Sequence, residues 1–317
     1  MKNEFLKNPC GPVVYSHAAT ITEYEGQLYM SWYVYEDKEN EKGQIVYCKY
    51  DKATNEWAKS IIAFPSLGGS SQGNPVLFTF NNKLHLFFVI LKRHYWNSSE
   101  IYSSSFDSKS SSWSIPQKIN TPEGIMVRHR PMLIGNQAII PAYDENTMTT
   151  ILYSFQNNIS IWTEYSRITE SCIQGDLFSF NEQECQMYLR STNESRKILK
   201  SVSANAGKQW EATRMTKLHC PLSGIAAIAL KSGKILIANN QTELHKRNPI
   251  SLSLSDSKGL DFDLGTWHVD KTNIELSYPT LFQDSEEVIH LAFTFNRKMI
   301  KHISFTEGEL ISQLETP

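Results

Sequence analysis

The chain has 317 residues, 40% of them hydrophobic and 20% charged, with 31 Lys and Arg against 33 Asp and Glu. This is globular composition, enough for one large or two medium domains, and it excludes a disordered or fibrous chain. Charge is nearly balanced and no long block carries one sign, so a phosphate-tracking surface is absent and nucleic acid is not an expected partner.

The first residues, "MKNEFLKNPCGPVV", lack the apolar core of a signal peptide, and no later run approaches the ~18 apolar residues of a membrane helix. The expectation is a soluble protein, not conventionally exported, cytoplasmic and without a membrane partner. Five cysteines, Cys10, Cys48, Cys172, Cys185 and Cys220, are odd in number and form no C-x-x-C pair. They read as reduced thiols and not as a zinc site.

Along the chain, amphipathic helix patterns are scarce, and short alternating runs rich in Tyr, Thr, Ile, Val and Trp are broken by Gly, Asn and Ser, the pattern of an all-β protein. Six hairpins follow one plan: a polar residue, a small residue or proline, an apolar strand, a polar turn and a second strand. They are "HAATITEYEGQLYMSWY" from His17, "NPVLFTFNNKLHLFFVI" from Asn74, "RPMLIGNQAIIPAY" from Arg130, "QGDLFSFNEQECQMYLRS" from Gln174, "SGIAAIALKSGKILIANN" from Ser223 and "YPTLFQDSEEVIHLAF" from Tyr278. Their spacing of about 50 residues is that of four-stranded propeller blades. The leading residues should then converge at one mouth of a central channel, with Pro279 tolerated at a strand start beneath Tyr278.

A second marker runs in phase with the first. Between hairpins come "YDKATNEW" (50–57), "SFDSKSSSW" (105–113), "SFQNNISIW" (154–162) and "SVSANAGKQW" (201–210), with a fainter "LSDSKGLDF" at 254–262. In each clear copy a turn-forming Asp, Gln or Asn precedes a Trp, as in a hairpin turn pinned by a polar side chain under an indole.

These segments resemble degenerate forms of the Asp-box, S-x-D-x-G-x-x-W, with Asn205 replacing the Asp in the copy from Ser203. The chain thereby resembles the sialidase-like family of BNR or Asp-box repeat proteins over roughly residues 15 to 305. The resemblance implies one six-bladed β-propeller domain spanning 1–317, closed by a composite blade to which both termini contribute.

It also implies a site. Tyr278 in "SYPTL" resembles the nucleophile's segment, and Arg190 and Arg247 resemble arginines that grip a sugar-acid carboxylate through bidentate contacts. Glu41, or Asp37 nearby, falls where the leaving-group acid would lie, although "EDKENEKG" also reads as a solvated hairpin loop. Arg130, Asn74 and Gln174 are expected to assist binding at the pocket, His17 to assist binding or to share proton transfer with Tyr278 as a catalytic residue, and Arg297 to stand behind it. Arg93, His94, Tyr95 and Trp96 end the second hairpin, where aromatic surface suits sugar stacking.

Two departures set the chain apart. His17 stands where the family's first arginine is expected, and Gln174 where a glutamate would assist the tyrosine; an amide nitrogen cannot act as base. The expected function is therefore sialidase-like action on a glycan or other anionic small molecule, without cofactor or metal. Hydrolysis leads, with a lyase or cyclase on the same scaffold or a non-catalytic binding propeller as alternatives.

Overall fold

A computed structural model of the chain describes residues 1–9, 15–256 and 259–315; Cys10 and part of the faint fifth turn lie outside them. The other four cysteines are buried and unbridged. Six antiparallel sheets form the blades of a β-propeller, and the innermost strands of successive blades touch around the ring.

Blade one comprises Tyr15–Tyr24, Gln27–Tyr35 and Gln44–Asp51, edged by Glu56–Trp57 and Ile61–Ile62. Blade two comprises Ser71–Phe80, Lys83–Leu91 and Ser99–Asp107, edged by Ser112–Trp113 and Gln117–Lys118. In blade three the innermost strand is split into Ile125–Val127 and Met132–Ile134, followed by Gln137–Asp144, Thr149–Phe155 and Thr163–Ile168. Blade four runs Cys172–Ser179, Cys185–Ser191, Lys197–Ser203 and Arg214–His219, and blade five Ala226–Ala229, Ile235–Asn239, Ile250–Ser255 and Gly265–Asp270. Blade six takes Leu276–Gln283, Ile289–Phe295 and Met299–Phe305 from the end of the chain and Lys2–Phe5 from its start, so both ends meet in one sheet.

Second strands such as Lys83–Leu91 and Ile289–Phe295 are buried at nearly every position. Each lies between two neighbouring blades, so both faces are covered and the sequence reads as a continuous apolar run instead of an alternation. Aromatic side chains fill the wedges between blades; Phe78, Phe87, Phe155 and Trp162 of blades two and three pack edge to face.

The Asp-box turns follow the pinned-turn plan. Asp51 accepts from the Ala53 amide, Asp107 from the Lys109 amide and Asn205 from the Gln209 amide. In the third copy the pin is Asn158, accepting from Ser160, and not the exposed Gln156. Gly207 has a left-handed backbone (φ 80°) and lies against the Trp210 ring, where a Cβ would stand 3.3 Å from the indole.

One feature of the innermost strands governs the site. In blades one, two, four and six the pairing with the second strand slips between His17 and Thr20, Gly73 and Val76, Ile173 and Asp176, and Ser277 and Thr280. At each slip one residue is left-handed: Ala18 (φ 55°), Asn74 (φ 45°), Gln174 (φ 53°) and Tyr278 (φ 52°). A bulge of this kind re-aims a side chain out of the ladder, at a cost of about 1–2 kcal/mol for each non-glycine residue. The equivalent of Tyr278 in blade one is thus Ala18, one residue on from His17. In blade five, whose inner strand starts only at Ala226, the left-handed residue is Leu222 (φ 54°), just before Ser223.

Candidate functional site

The bulged residues open onto a cavity of about 410 Å³ at one end of the channel, lined by Asn74, Gln174 and Tyr278, by Arg190, Arg247 and Arg297, and by Glu39, Tyr143, Glu145 and Trp96. Proline at 279 lies in the middle of the strand Leu276–Gln283 and not at its start as expected; it is tolerated there because it follows Tyr278 within the bulge, outside the paired ladder.

Three guanidinium groups reach this cavity from three blades. Arg190 stands at the end of a blade-four strand and donates from Nη1 to Gln174 Oε1 at 3.2 Å; its buried Nε has no hydrogen-bond partner among the described residues. Arg247, between two strands of blade five, donates to Glu275 at 3.2 Å. Arg297 sits with Asn296 in the turn that joins Ile289–Phe295 to Met299–Phe305, and both residues are left-handed. Its carbonyl accepts from the Ser16 amide at 2.7 Å, which brings it beside the start of blade one. Its Nε donates to both Glu275 oxygens at 3.0 and 3.1 Å, and Nη1 donates to Glu39 at 2.5 Å. Burial alone would raise the Glu275 carboxyl, but Arg297, Ser277 and Arg247 outweigh it and hold it below the ordinary carboxylate range. Glu275 is therefore an ionised brace that orients two of the arginines.

Tyr278 is packed on several sides. Its ring stands 4.3 Å from the His17 ring, with the Arg128 and Arg247 guanidinium carbons 5.5 and 5.7 Å from its centroid. Gly224 lies flat beside it, where a Cβ would come within 3.4 Å of the ring. Arg128, 2% exposed, bridges the channel beneath: it donates to the carbonyls of Ala19, Tyr278 and Pro279 at 3.2, 3.2 and 3.0 Å. His17 is fully buried, and neither ring nitrogen has a hydrogen bond among the described residues, Nε2 standing 3.5 Å from Glu39. Burial, with Arg297 and Arg247 nearby, pushes it well below the ordinary histidine range, so it is neutral.

Several sequence expectations are corrected here. Glu41 and Asp37 do not line the cavity: Glu41 is ion-paired with Lys38 at the surface and Asp37 is exposed. The carboxyl that turns inward from that loop is Glu39, which accepts from Tyr33 at 2.5 Å and from Arg297. Arg130 belongs to a separate small cleft with His129, Asp176 and Thr280, its guanidinium 5.0 Å from the Phe282 ring. Arg297 lines the cavity itself instead of standing behind it. Of the second-hairpin aromatics Trp96 reaches the wall, while Tyr95 is 67% exposed and Arg93 pairs with Glu123.

Glu145, which follows the second strand of blade three, reads in the sequence as a loop residue able to reach the channel mouth, and it lines the cavity; Glu39, Glu275, Arg128 and Tyr143 sit outside the repeated hairpin starts, where the sequence carries no signal for them. The acid on the far wall, Glu145, is pushed above the ordinary carboxylate range by burial, with Arg190 opposing. No group of three metal-ligating side chains occurs among the described residues, and no helix among them is long and apolar enough to cross a membrane.

No curated protein matches the chain by sequence. Among solved structures it superimposes on a Hadza microbial sialidase with a TM-score of 0.79 at 13% identity, covering 93% of this chain and 66% of that one. A Dyadobacter fermentans protein of unknown function gives 0.79 at 12% identity, covering 97% and 98% of the two chains. The intramolecular trans-sialidase of Ruminococcus gnavus, in complex with oseltamivir carboxylate, gives 0.77 at 11% identity and 96% coverage of both. At such identities these likenesses establish the fold. The model of the BNR repeat-like domain matches residues 26–291, and the chain belongs to that family.

Proposed function

We propose that the chain is a sialidase-like enzyme that binds a sugar acid, or a similar small carboxylate, in the central cavity and cleaves its glycosidic bond. The observation that carries this reading is the convergence of Arg190, Arg247 and Arg297 on the cavity that Tyr278 and Glu39 also line. Arg297 supplies from blade six the third guanidinium that blade one, with His17, does not. Guanidinium forks match a carboxylate bidentately, and half-burial strengthens the contact.

In this reading Tyr278 attacks the anomeric carbon, and the leaving oxygen takes a proton from Glu39. A ligand carboxylate on Arg297 replaces Glu39 there, and Glu39, without its cation, takes up a proton from solvent and faces the leaving group. Gln174 cannot receive the tyrosine proton; His17, with its ring 4.3 Å from the Tyr278 ring, takes that role once a ligand carboxylate on Arg297 and Arg247 offsets the charges that keep it neutral. Water then releases the glycosyl group from the tyrosine, a variation on the two-carboxylate scheme. Gln174 also favours a second reading, in which the pocket binds the same ligands without turnover.

The test is hydrolysis of 4-methylumbelliferyl glycosides of sialic and related keto-deoxy acids by wild type and Tyr278→Phe. Turnover lost in the variant supports the enzyme. Folded wild type that binds these acids without turning them over supports the binding module.

A further inference from the structure

Tyr143 is 1% exposed, yet it lines the cavity. Its hydroxyl oxygen lies 3.3 Å from Asn74 Nδ2 and 3.3 Å from Gln174 Nε2. Both amides have a fixed orientation. Gln174 Oε1 is turned to the Arg190 guanidinium, which can only donate, so its nitrogen faces Tyr143. Asn74 Nδ2 also donates to the Val127 carbonyl, so its nitrogen too faces the tyrosine. Tyr143 therefore accepts two hydrogen bonds, and its own proton has no acceptor among the described residues. Burial holds this hydroxyl far above the ordinary tyrosine range, so it stays protonated.

We infer that Tyr143 is a ligand-binding donor whose O–H is aimed into the cavity to meet an oxygen acceptor of the bound molecule, a carbonyl, carboxylate or ether oxygen. The inference rests on the reading of this cavity as a sugar-acid site. It also gives Gln174 a purpose. A glutamate at that position would accept the Tyr143 proton and turn the hydroxyl away from the ligand, whereas the amide donates and turns it outward. The departure from the family pattern thus exchanges a base for an oriented donor.

The test is calorimetric titration of wild type, Tyr143→Phe, Gln174→Glu and the double variant with a 2,3-unsaturated sialic acid, each checked for folding by its melting curve. The expected result is binding weakened about tenfold by Tyr143→Phe. Gln174→Glu weakens binding through both the lost donor and its new charge beside Arg190, so in the double variant the two losses combine to less than their product. Tyr143→Phe that binds as tightly as wild type, or losses that multiply in full, overturns the inference. Wild type that binds no sugar acid overturns the reading of the cavity and this inference with it. Should Tyr143→Phe not fold, 13Cζ-tyrosine spectra of wild type decide: a buried tyrosine signal that shifts on ligand addition supports the donor, and unmoved buried signals contradict it.

Discussion

At the scale of single residues, the cavity depends on which member of a local group turns inward. Glu39 accepts from Tyr33 and Arg297, while Glu41 faces solvent two residues later. If Glu39 is the proton donor, Glu39→Gln lowers kcat by about a hundredfold, and Glu41→Gln stays within about twofold, measured on the same aryl glycoside. Arg128 gives a stability prediction instead. Arg128→Met leaves the carbonyls of Ala19, Tyr278 and Pro279 without their buried donor. Denaturant unfolding should show a loss of about 3 kcal/mol or more. Neither residue was legible in advance. A loop such as "EDKENEKG" has no periodicity to say which acid is buried, and nothing in the pattern around the split blade-three inner strand says that Arg128, and not Arg130, reaches the Tyr278 backbone. Tyr278 stood out because it leads one of the repeated hairpins, whereas Arg190 and Arg247 came from the family resemblance alone.

At the scale of the element, the bulged inner strand is the recurring device. Four blades carry it with a left-handed residue, and in three of them, at Asn74, Gln174 and Tyr278, that residue lines the cavity. Gly175 follows one such residue, Gln174, and a Cβ there would stand 2.5 Å from Met187 Sδ. Gly175→Ala is expected to cost about 1–3 kcal/mol and to weaken ligand binding as well, because the shift passes directly to Gln174. Urea midpoints and a titration of the same sample test both. The hairpins and pinned turns were readable because two independent markers recur in phase. The bulge was not, since a one-residue slip leaves the apolar pattern of the strand intact; this is why His17 was aligned with Tyr278 where Ala18 is its equivalent.

At the scale of the whole molecule, the ring is closed by Lys2–Phe5 pairing with Met299–Phe305. Around that closure Trp57 Nε1 donates to His302 Nδ1 at 3.0 Å, His302 Nε2 meets His290 Nδ1 at 3.1 Å, and His290 Nε2 meets Asp284 at 3.1 Å. Removal of residues 1–6, which takes away the edge strand and the buried Leu6, should lower Tm by at least about 10 °C. Burial is the main cause that pushes His302 down to about 4 from 6.5. The folded state therefore favours the neutral ring, and that contribution is complete above pH 6.5 and lost as pH falls toward 4. It is on the order of 3 kcal/mol. Urea unfolding at pH 7 and pH 4.5 should show the loss in wild type and a smaller one in His302→Gln.

The proposed chemistry depends on the three arginines of the pocket holding a carboxylate. The most direct measurement is a crystal structure with a 2,3-unsaturated sialic acid bound. The ligand carboxylate is expected within hydrogen-bonding distance of Arg190, Arg247 and Arg297, with Glu39 displaced from Arg297. A sugar acid seated elsewhere, or in the cavity with its carboxylate turned away from the arginines, would contradict it.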